Sequence, residues 1–502
     1  MQNNKKSVFQ AMVSVSGIIV IAKILGFVKR MVTANAFGAT IQTDLISISE
    51  DLITNIDYLL IQTLSTAFVP TYIVLNTKNP KDSKRFTSNV IKVFLIITMA
   101  VALTVIAIGP VIAKILAPSY TPELTARLTV YIRIFAPCII ILIELAVFNS
   151  LLKANEIFVP GEMVSIHWSI ILISLVLIIG NVVGPDTIVI GFYGYAIFNL
   201  IFLTIVSRKY WRIERGNPFK DPAIRQMLKM MGPLILGYSA LFINQQVDKI
   251  IVSGMSAGTI TAMSYATVLS NLITTYMGSL CGVLFTYITK HVAEKADEDA
   301  SELALKSLKQ LVTLLLPISV LTVMNAHDIV TIVFGHGKFD DTAINSCSLA
   351  LIGYGCIFVP YILREMFNRF QYAYGDSKRP MINSAISIAL NIVLSIILSR
   401  WLGVLGVTLA TSISVLLCGL LNILSARKKN QYLKFGKLLK SVPQWLIGAV
   451  LCVTVSILGQ NLLSQVHTLI RFAAITVTGL AIYALINFSA VKSLIKGVLH
   501  KG

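Results

Sequence analysis

The chain has 502 residues, of which 56% are hydrophobic and only 13% are charged, and its formal net charge is +19. Soluble domains carry about 25% charged residues, so the composition excludes a soluble enzyme, a secreted disulfide scaffold and a disordered chain. Apolar runs of roughly 18 residues or more recur from end to end, and each is long enough to cross a bilayer as a helix. The sequence therefore predicts an all-α polytopic membrane protein.

Taken in chain order, the apolar runs predict about fourteen transmembrane helices. They span 8–33, 43–75, 88–117, 125–152, 160–183, 187–207, 224–253, 260–289, 307–334, 343–373, 381–399, 404–425, 442–463 and 469–489. Several are longer than the ~20 residues that a crossing needs, so we expect them to tilt, bend or project beyond the bilayer. The first run lacks a small-x-small cleavage site, so we interpret it as a retained helix and not as a signal peptide.

The loops between these helices alternate in charge. Residues 208–225 hold six basic residues, whereas 34–42 and 254–259 hold none. The positive-inside rule assigns the basic loops to the cytoplasm, and an even number of helices then assigns both termini to the cytoplasm as well. The net charge is therefore explained by topology, and we expect no nucleic-acid partner.

The sequence contains no recognisable catalytic motif. It has no nucleotide-binding loop, HExxH motif or Ser/His/Asp set, so it predicts neither an enzyme nor coupling to ATP. The six cysteines lie in or beside apolar runs and form no CxxC pair. We interpret them as core residues, with no disulfide framework and no metal site of their own.

Segments of the two halves resemble each other at a nearly constant offset, which indicates duplication of a six-helix unit. The matched pairs are 110–121 with 328–339, 153–178 with 372–398, Gly191 with Gly403, and Gly194 with Gly406. Each unit has an even number of helices, so the copies share one orientation, with a central cavity between them. We predict lobes at 1–218 and 219–436, and two additional transmembrane helices in 437–502. Two such lobes around a cavity are typical of transporters.

Ionisable residues at membrane depth are costly, so they mark candidate functional positions. The predicted substrate-binding set is Lys23, Lys29 and Arg30 on the first helix, Asp44, Glu50 and Asp57 on the second, and Arg364 on the tenth. In one interpretation the acids neutralise the cations and fix helix packing. In the other, the cations bind an anionic substrate and the acids tune them. Glu144 and His167 are single polar groups for which we predict satisfied packing roles.

The motif AKILGFVKRMVTANAFGATIQTD (22–44) resembles the first-helix signature of the lipid II flippase family, the MurJ/MviN group of the multidrug/oligosaccharidyl-lipid/polysaccharide (MOP) exporter superfamily. TAFVP (66–70), VFGHGKF (333–339) and YAYGDSKRP (372–380) are similar to further family motifs. The resemblance covers nearly the whole chain. It implies a flippase of the bacterial cytoplasmic membrane that moves a polyprenyl-pyrophosphate-linked saccharide, foremost lipid II, by alternating access.

Carried over by position, the resemblance implies that Lys23 and Lys29 contact the pyrophosphate. Asp44 corresponds to the aspartate at the end of the family's first-helix signature. Two further family arginines are absent here, because the second helix carries acids and Val268 takes the other position. A flippase for another lipid-linked polysaccharide unit and a cation-coupled multidrug exporter therefore stay open as alternatives. A non-transporting scaffold for cell-wall synthesis is a third. Expected partners are the lipid-linked glycan, the bilayer and cell-wall synthesis proteins.

Some family members have a sodium site, and its positions correspond here to Asp248, Asn391, Ser395, Val407 and Thr411. Sodium is a hard cation that needs several oxygen ligands, which a carboxylate, an amide, hydroxyls and a carbonyl could supply. Ser395 replaces a family carboxylate, which would weaken the site. Interhelical hydrogen bonding without an ion is the alternative. Na+ is thus a candidate coupling ion, and the sequence implies no other cofactor. Lys249, the neighbour of Asp248, is a possible local ion-pair partner.

Overall fold

The computed structural model describes residues 2–214 and 217–488. Within these ranges the secondary structure is helical and no strand occurs. The helices of the first half are α1 (Gln2–Phe37), α2 (Ile41–Lys78), α3 (Pro80–Ala107), α4 (Gly109–Leu116), α5 (Pro122–Phe135), α6 (Cys138–Ala154), α7 (Val159–Val183) and α8 (Thr187–Ser207). Those of the second half are α9 (Pro222–Val252), α10 (Thr259–Ala293), α11 (Asp297–Met324), α12 (Ala326–Phe334), α13 (Asp341–Gly355), α14 (Phe358–Ala373), α15 (Lys378–Lys429), α16 (Gly436–Leu439), α17 (Val442–Leu462) and α18 (Thr468–Ile486). The predicted all-α fold is confirmed.

The helical segments are compatible with fourteen crossings. In the described part of the chain, nine segments are long and apolar enough to span a membrane, or ten with the bent pair α13 and α14. Two of them, Val159–Ser207 and Lys378–Lys429, have 49 and 52 residues, about twice the ~20 residues of one crossing. Each turns at a glycine with positive φ, Gly184 (71°) or Gly403 (57°). Each of these two segments is therefore long enough for two crossings.

Four predicted helices, 88–117, 125–152, 307–334 and 343–373, are each divided in two, at positions that the apolar pattern does not predict. α4 begins with a proline in its first turn, which cannot continue the hydrogen bonding of α3. The residue before α6 is Pro137, and α13 and α14 meet at a bend of 41°. Local backbone chemistry, to which an apolar pattern is insensitive, decides these breaks.

The breaks recur in both halves of the chain. The helix-ending residues Ile108 and Asn325 are 217 positions apart and have similar backbone angles. Glu156 (φ 61°) and Gly375 (φ 71°) are 219 positions apart, as are Gly184 and Gly403. By backbone conformation the counterpart of Gly403 is thus Gly184, and not Gly191 as the sequence match indicated. Recurrence of left-handed backbone at one offset supports the proposed duplication of a six-helix unit.

By packing, the chain forms two compact units: unit 1 comprises residues up to 261 with 337–339, and unit 2 comprises 262–336 with the residues from 340 onward. α9 thus packs in unit 1, although it follows the predicted lobe boundary at 218/219. A boundary of duplication and a boundary of packing are different properties. The lobes 1–218 and 219–436 therefore stay a prediction.

Each unit has its own apolar core. In unit 1, the Phe68 ring stacks on Tyr72 and on Phe86, with centroids 5.7 and 5.5 Å apart. In unit 2, α14 buries Phe358, Phe367 and other side chains with residues of α10, α11 and α17. Large apolar side chains also lie on the outside, including Leu177, Ile178 and Val182 of α7. Such outward apolar faces fit the hydrocarbon layer of a bilayer.

Candidate functional site

The three α1 cations of the predicted site lie in three different environments. Lys29 is buried, and its ammonium lies 4.3 Å from the centroid of the Trp168 ring on α7, a cation–π contact. Arg30 is half-buried and is an electrostatic neighbour of Lys29. Lys23 is exposed, and no hydrogen bond or ion pair to it occurs within the described residues. Of these three cations, Lys23 therefore has the most freedom to meet a ligand.

The acids of α2 lie among these cations. Glu50 is half-buried, and its electrostatic neighbours are Lys29, Arg30, Asp51 and Lys249. Asp51 forms an ion pair with Lys249 of α9. The structure thus brings Lys29, Arg30 and Glu50 together. We name Lys29, Arg30, Lys249, Glu50 and Asp51 the unit 1 charge cluster. Three basic and two acidic side chains leave one formal positive charge.

Asp57 forms no ion pair with a described cation. Its Oδ1 atom is buried and has no hydrogen-bond partner within the described residues. The Tyr195 side chain on α8 is its electrostatic neighbour, as it is for Glu50. Asp57 therefore lines the same interior of unit 1, two helical turns from Glu50 along α2.

Asp44 caps a helix. Its Oδ2 accepts a hydrogen bond from the Gly258 amide at 2.7 Å, and its Oδ1 accepts from the amide and the hydroxyl of Thr261 at 2.8 and 2.7 Å. These amides belong to the first turn of α10, where a helix has unpaired N–H groups and a partial positive charge. The carboxylate is only 2% exposed. Its hydrogen bonds all stabilise α10, so a role toward substrate would be to position this helix.

Three glycines lie where backbone segments cross closely, and two of them, Gly38 and Gly337, belong to motifs to which the sequence assigned no role. Gly38, Gly258 and Gly337 have φ of 66°, 86° and 63°, which favours glycine. A Cβ atom at Gly38 would lie 2.2 Å from the Lys338 carbonyl, and one at Gly258 would lie 2.1 Å from the Ala39 carbonyl. The glycines of AFGAT and GHGKF therefore allow backbone segments to cross closely beyond the end of α1, where the Lys338 amide donates to the Asn35 carbonyl at 2.9 Å.

Asp376 of the YAYGDSKRP motif joins the two ends of α15. Its Oδ2 lies 2.5 Å from the Lys429 ammonium, and its Oδ1 accepts a hydrogen bond from the Arg379 amide at 3.2 Å. These two contacts hold the pKa of the Asp376 carboxyl below its ordinary value. The motif aspartate therefore stabilises the connection between α14 and α15.

In unit 2, Arg364 forms an ion pair with its neighbour Glu365 at 3.0 Å. Its guanidinium also lies 5.1 Å from the centroid of the Tyr361 ring. Arg369, one turn further along α14, lies 3.5 Å from the second oxygen of Glu365. Arg364 thus belongs to a local charge cluster of its own.

Four of the five predicted sodium ligands lie together on α15. Asn391 donates to the Thr411 hydroxyl at 3.2 Å, and that hydroxyl donates to the Val407 carbonyl at 3.2 Å. Ser395 is fully buried, and the Asn391 Oδ1 is buried without a hydrogen-bond partner among the described residues. An orphaned amide oxygen beside a hydroxyl and a carbonyl fits a hard cation. The fifth residue, Asp248, is half-buried on α9 in unit 1.

Two features were not found by sequence reasoning. Trp168 gives Lys29 its aromatic neighbour, and Lys249 pairs with Asp51 across two helices. The packing role of His167 is supported by a 2.8 Å hydrogen bond between its Nδ1 and Asn199 Oδ1. Glu144 is buried, but neither carboxyl oxygen has a hydrogen-bond partner among the described residues. The expectation of satisfied packing was therefore wrong for Glu144.

The family model "Lipid II flippase MurJ" matches residues 33–478. The chain belongs to the MurJ family. It is a family of transporters and not of enzymes. The protein named "Probable lipid II flippase MurJ" from Buchnera aphidicola subsp. Acyrthosiphon pisum is 26% identical over 393 residues, 77% of each chain. A protein of the same name from Rickettsia prowazekii is 24% identical over 430 residues, 83% of each chain.

Two solved structures share the fold. "Lipid II flippase MurJ, inward closed conformation" has a TM-score of 0.81 at 21% identity and covers 96% of this chain and 100% of its own. An inward-facing multidrug resistance MATE transporter of the MOP superfamily has a TM-score of 0.61 at 13% identity, covering 83% and 95%. The chain is therefore a multi-pass membrane protein with the MOP exporter fold.

Proposed function

We propose that this transporter translocates a polyprenyl-pyrophosphate-linked saccharide, lipid II, across the cytoplasmic membrane. The observation that carries the proposal is the excess positive charge of the unit 1 charge cluster, with Lys23 exposed on the same helix. Partly desolvated cations interact strongly with a pyrophosphate, because the local dielectric is low. The family match over residues 33–478 supports the substrate class.

In this proposal Lys23, Lys29 and Arg30 hold the pyrophosphate, while Glu50 and Asp57 tune the charge of the site and Asp44 positions α10. Lysine ammoniums act as point charges and not as bidentate forks, so their electrostatic contact with the pyrophosphate allows the headgroup to move. The two lobes rock about a central cavity, the headgroup crosses within it, and the lipid tail stays in the bilayer. No bond is made or broken.

Coupling to sodium is the second part of the proposal. Asn391, Val407 and Thr411 offer oxygens on α15, and the family resemblance adds Ser395 and the carboxylate of Asp248 to the ligand set. Sodium binding and release would then bias the two conformations, as any ligand with different affinity for two states does. Membrane potential is the alternative driving force. Cell-wall synthesis proteins that make or consume the lipid-linked substrate are the proposed partners, and both termini are assigned to the cytoplasm.

The test is complementation of a bacterial strain depleted of its own lipid II flippase. Expression of this chain should restore growth and cell shape, and a Lys23→Ala chain expressed at equal level should not. Failure of the unaltered chain to complement would contradict lipid II as substrate. Resistance of the same cells to cationic drugs, without complementation, would favour the multidrug exporter alternative.

A further inference from the structure

The cluster on α14 has two cations and one acid. Arg364 and Arg369 both approach Glu365, with N–O distances of 3.0 and 3.5 Å. Their side chains are 29%, 29% and 18% exposed for Arg364, Arg369 and Glu365 respectively. The cluster is thus reachable by a ligand, yet it is sheltered enough from water for charge interactions to be strong.

The single acid does not satisfy the two guanidinium groups. The Nε atom of Arg364 is buried and has no hydrogen-bond partner within the described residues. The Nε atom of Arg369 is the one that lies 3.5 Å from Glu365, an ion-pair contact without hydrogen-bond geometry. The ion pairs recorded for the described part of the chain give these arginines no other carboxylate than Glu365. One formal positive charge and the Arg364 Nε–H donor therefore stay uncompensated, which is costly away from water.

The surroundings hold the guanidinium groups in place. The Tyr361 ring lies beside Arg364 at 5.1 Å, and Arg369 Nη2 donates to the Gly278 carbonyl of α10 at 3.3 Å. A Cβ atom at Gly282 would come within 3.1 Å of Arg369 Nη1. A glycine on this face of α10 thus gives the Arg369 fork room against the helix backbone.

We propose that Arg364 and Arg369 form an oxyanion site that binds a phosphate group, and that Glu365 is the internal counter-ion which this group displaces. The arginine fork matches phosphate oxygens bidentately, a geometry that the α1 lysines cannot offer. The inference rests on the proposed function in one respect, because there the phosphate belongs to the pyrophosphate of the lipid-linked substrate. Free pyrophosphate offers the same chemistry.

The test measures binding to the purified full-length protein in detergent, by the shift of the thermal unfolding midpoint during titration. The probes are a polyprenyl pyrophosphate, the uncharged polyprenol of equal length, and inorganic pyrophosphate at constant ionic strength. Arg364→Gln and Arg369→Gln should each weaken polyprenyl pyrophosphate binding about tenfold or more, the effect of losing a charge-assisted hydrogen bond. Glu365→Gln should tighten it, because the competing carboxylate is gone.

Arg379→Gln is the matched control, since this arginine lies in the same unit with its side chain 44% exposed, and its binding should equal that of the unaltered protein. Unchanged affinity in both arginine variants, or weaker binding in Glu365→Gln, would overturn the inference. If an arginine variant fails to fold, the Glu365→Gln variant still tests the site, because its affinity for polyprenyl pyrophosphate should rise and not fall. Loss of binding in Lys23→Ala alone, with both arginine variants unaffected, would sustain the proposed function and reject this site. Arginine-dependent binding of inorganic pyrophosphate without binding of the lipid-linked form would sustain this site and contradict the proposed function.

Discussion

Lys249 of α9 forms an ion pair with Asp51 of α2. The two side chains are 16% and 32% exposed, so the pair is partly shielded from water. It connects α9 to the helix that carries Glu50 and Asp57. Asp51 is thereby engaged with Lys249, in addition to being a neighbour of Glu50.

Breaking this pair should destabilise the protein. Asp51→Asn or Lys249→Gln alone leaves one charge unpaired, and we expect each to lower the free energy of unfolding by about 1–3 kcal/mol, between the values typical of exposed and buried pairs. The double variant should recover part of the loss. Denaturant unfolding in detergent measures this, with Lys290→Gln as control, because the Lys290–Glu294 pair is exposed and spans one helical turn. Equal losses in the single variants and the control would contradict the assignment.

Removing the cap at α10 should loosen its first turn. Asp44→Ala deletes the acceptor for the Gly258 and Thr261 amides, so these amides should exchange hydrogen faster, and stability should fall by about 2 kcal/mol or more. Asp44→Asn keeps one oxygen acceptor, so its exchange rate and stability should lie between those of Asp44→Ala and the unaltered protein. Hydrogen exchange resolved by peptide is the measurement. Exchange at residues 258–261 that equals the unaltered protein would show that the cap is not needed.

The lysines of α1 should differ in what their replacement does. Lys23→Ala should abolish translocation while the protein still inserts, and Lys23→Arg should retain activity, because Lys23 is exposed and its charge is the functional property. Lys29→Ala should lower both activity and stability, because Lys29 is buried against the Trp168 ring. Substrate translocation in proteoliposomes and thermal unfolding separate the two effects. Normal translocation by a stable Lys23→Ala protein would remove Lys23 from the substrate site.

The apolar runs were sufficient to predict the helices, because a bilayer accepts only backbones that satisfy their own hydrogen bonds. Most observed helix ends lie within a few residues of the predicted ones. The breaks at Ile108 and Asn325 were not predicted, since they depend on one or two backbone angles that hydrophobicity does not encode. The ion pair between Asp51 and Lys249 was also missed. A sequence gives the residues of a charged cluster, but their pairing depends on which faces of distant helices meet.

Topology provides another test. The loop at 208–225 is the most basic, so a cysteine replacing Asn217 should be cytoplasmic, and one replacing Ser256 should lie outside. Both positions are exposed, so each can react with a reagent. A membrane-impermeant thiol reagent added to intact cells should label the second and miss the first, in a protein whose six native cysteines have been replaced. The reverse pattern would overturn the assignment of both termini to the cytoplasm.

Sodium should stabilise the purified protein if the α15 oxygens and Asp248 bind it. The Asn391 Oδ1 is buried without a hydrogen-bond partner among the described residues, beside the Thr411 hydroxyl that Asn391 also contacts. A ligand that binds only the folded state adds about 2.7 kcal/mol at a hundredfold excess over its Kd. The unfolding midpoint should therefore be higher in sodium than in potassium at equal ionic strength.

Substitutions at single positions test which residues cause this sodium effect. Asp248→Asn and Asn391→Ala should erase the difference between the two salts, and Ser395→Asp should enlarge it by adding the carboxylate that this chain lacks. Asn383→Ala is the control on the same helix, because Asn383 donates to Asn422 at 2.8 Å and is outside the proposed ligand set. It should lower the midpoint equally in both salts. An identical midpoint for the unaltered protein in sodium and potassium would leave these residues with interhelical hydrogen bonding alone.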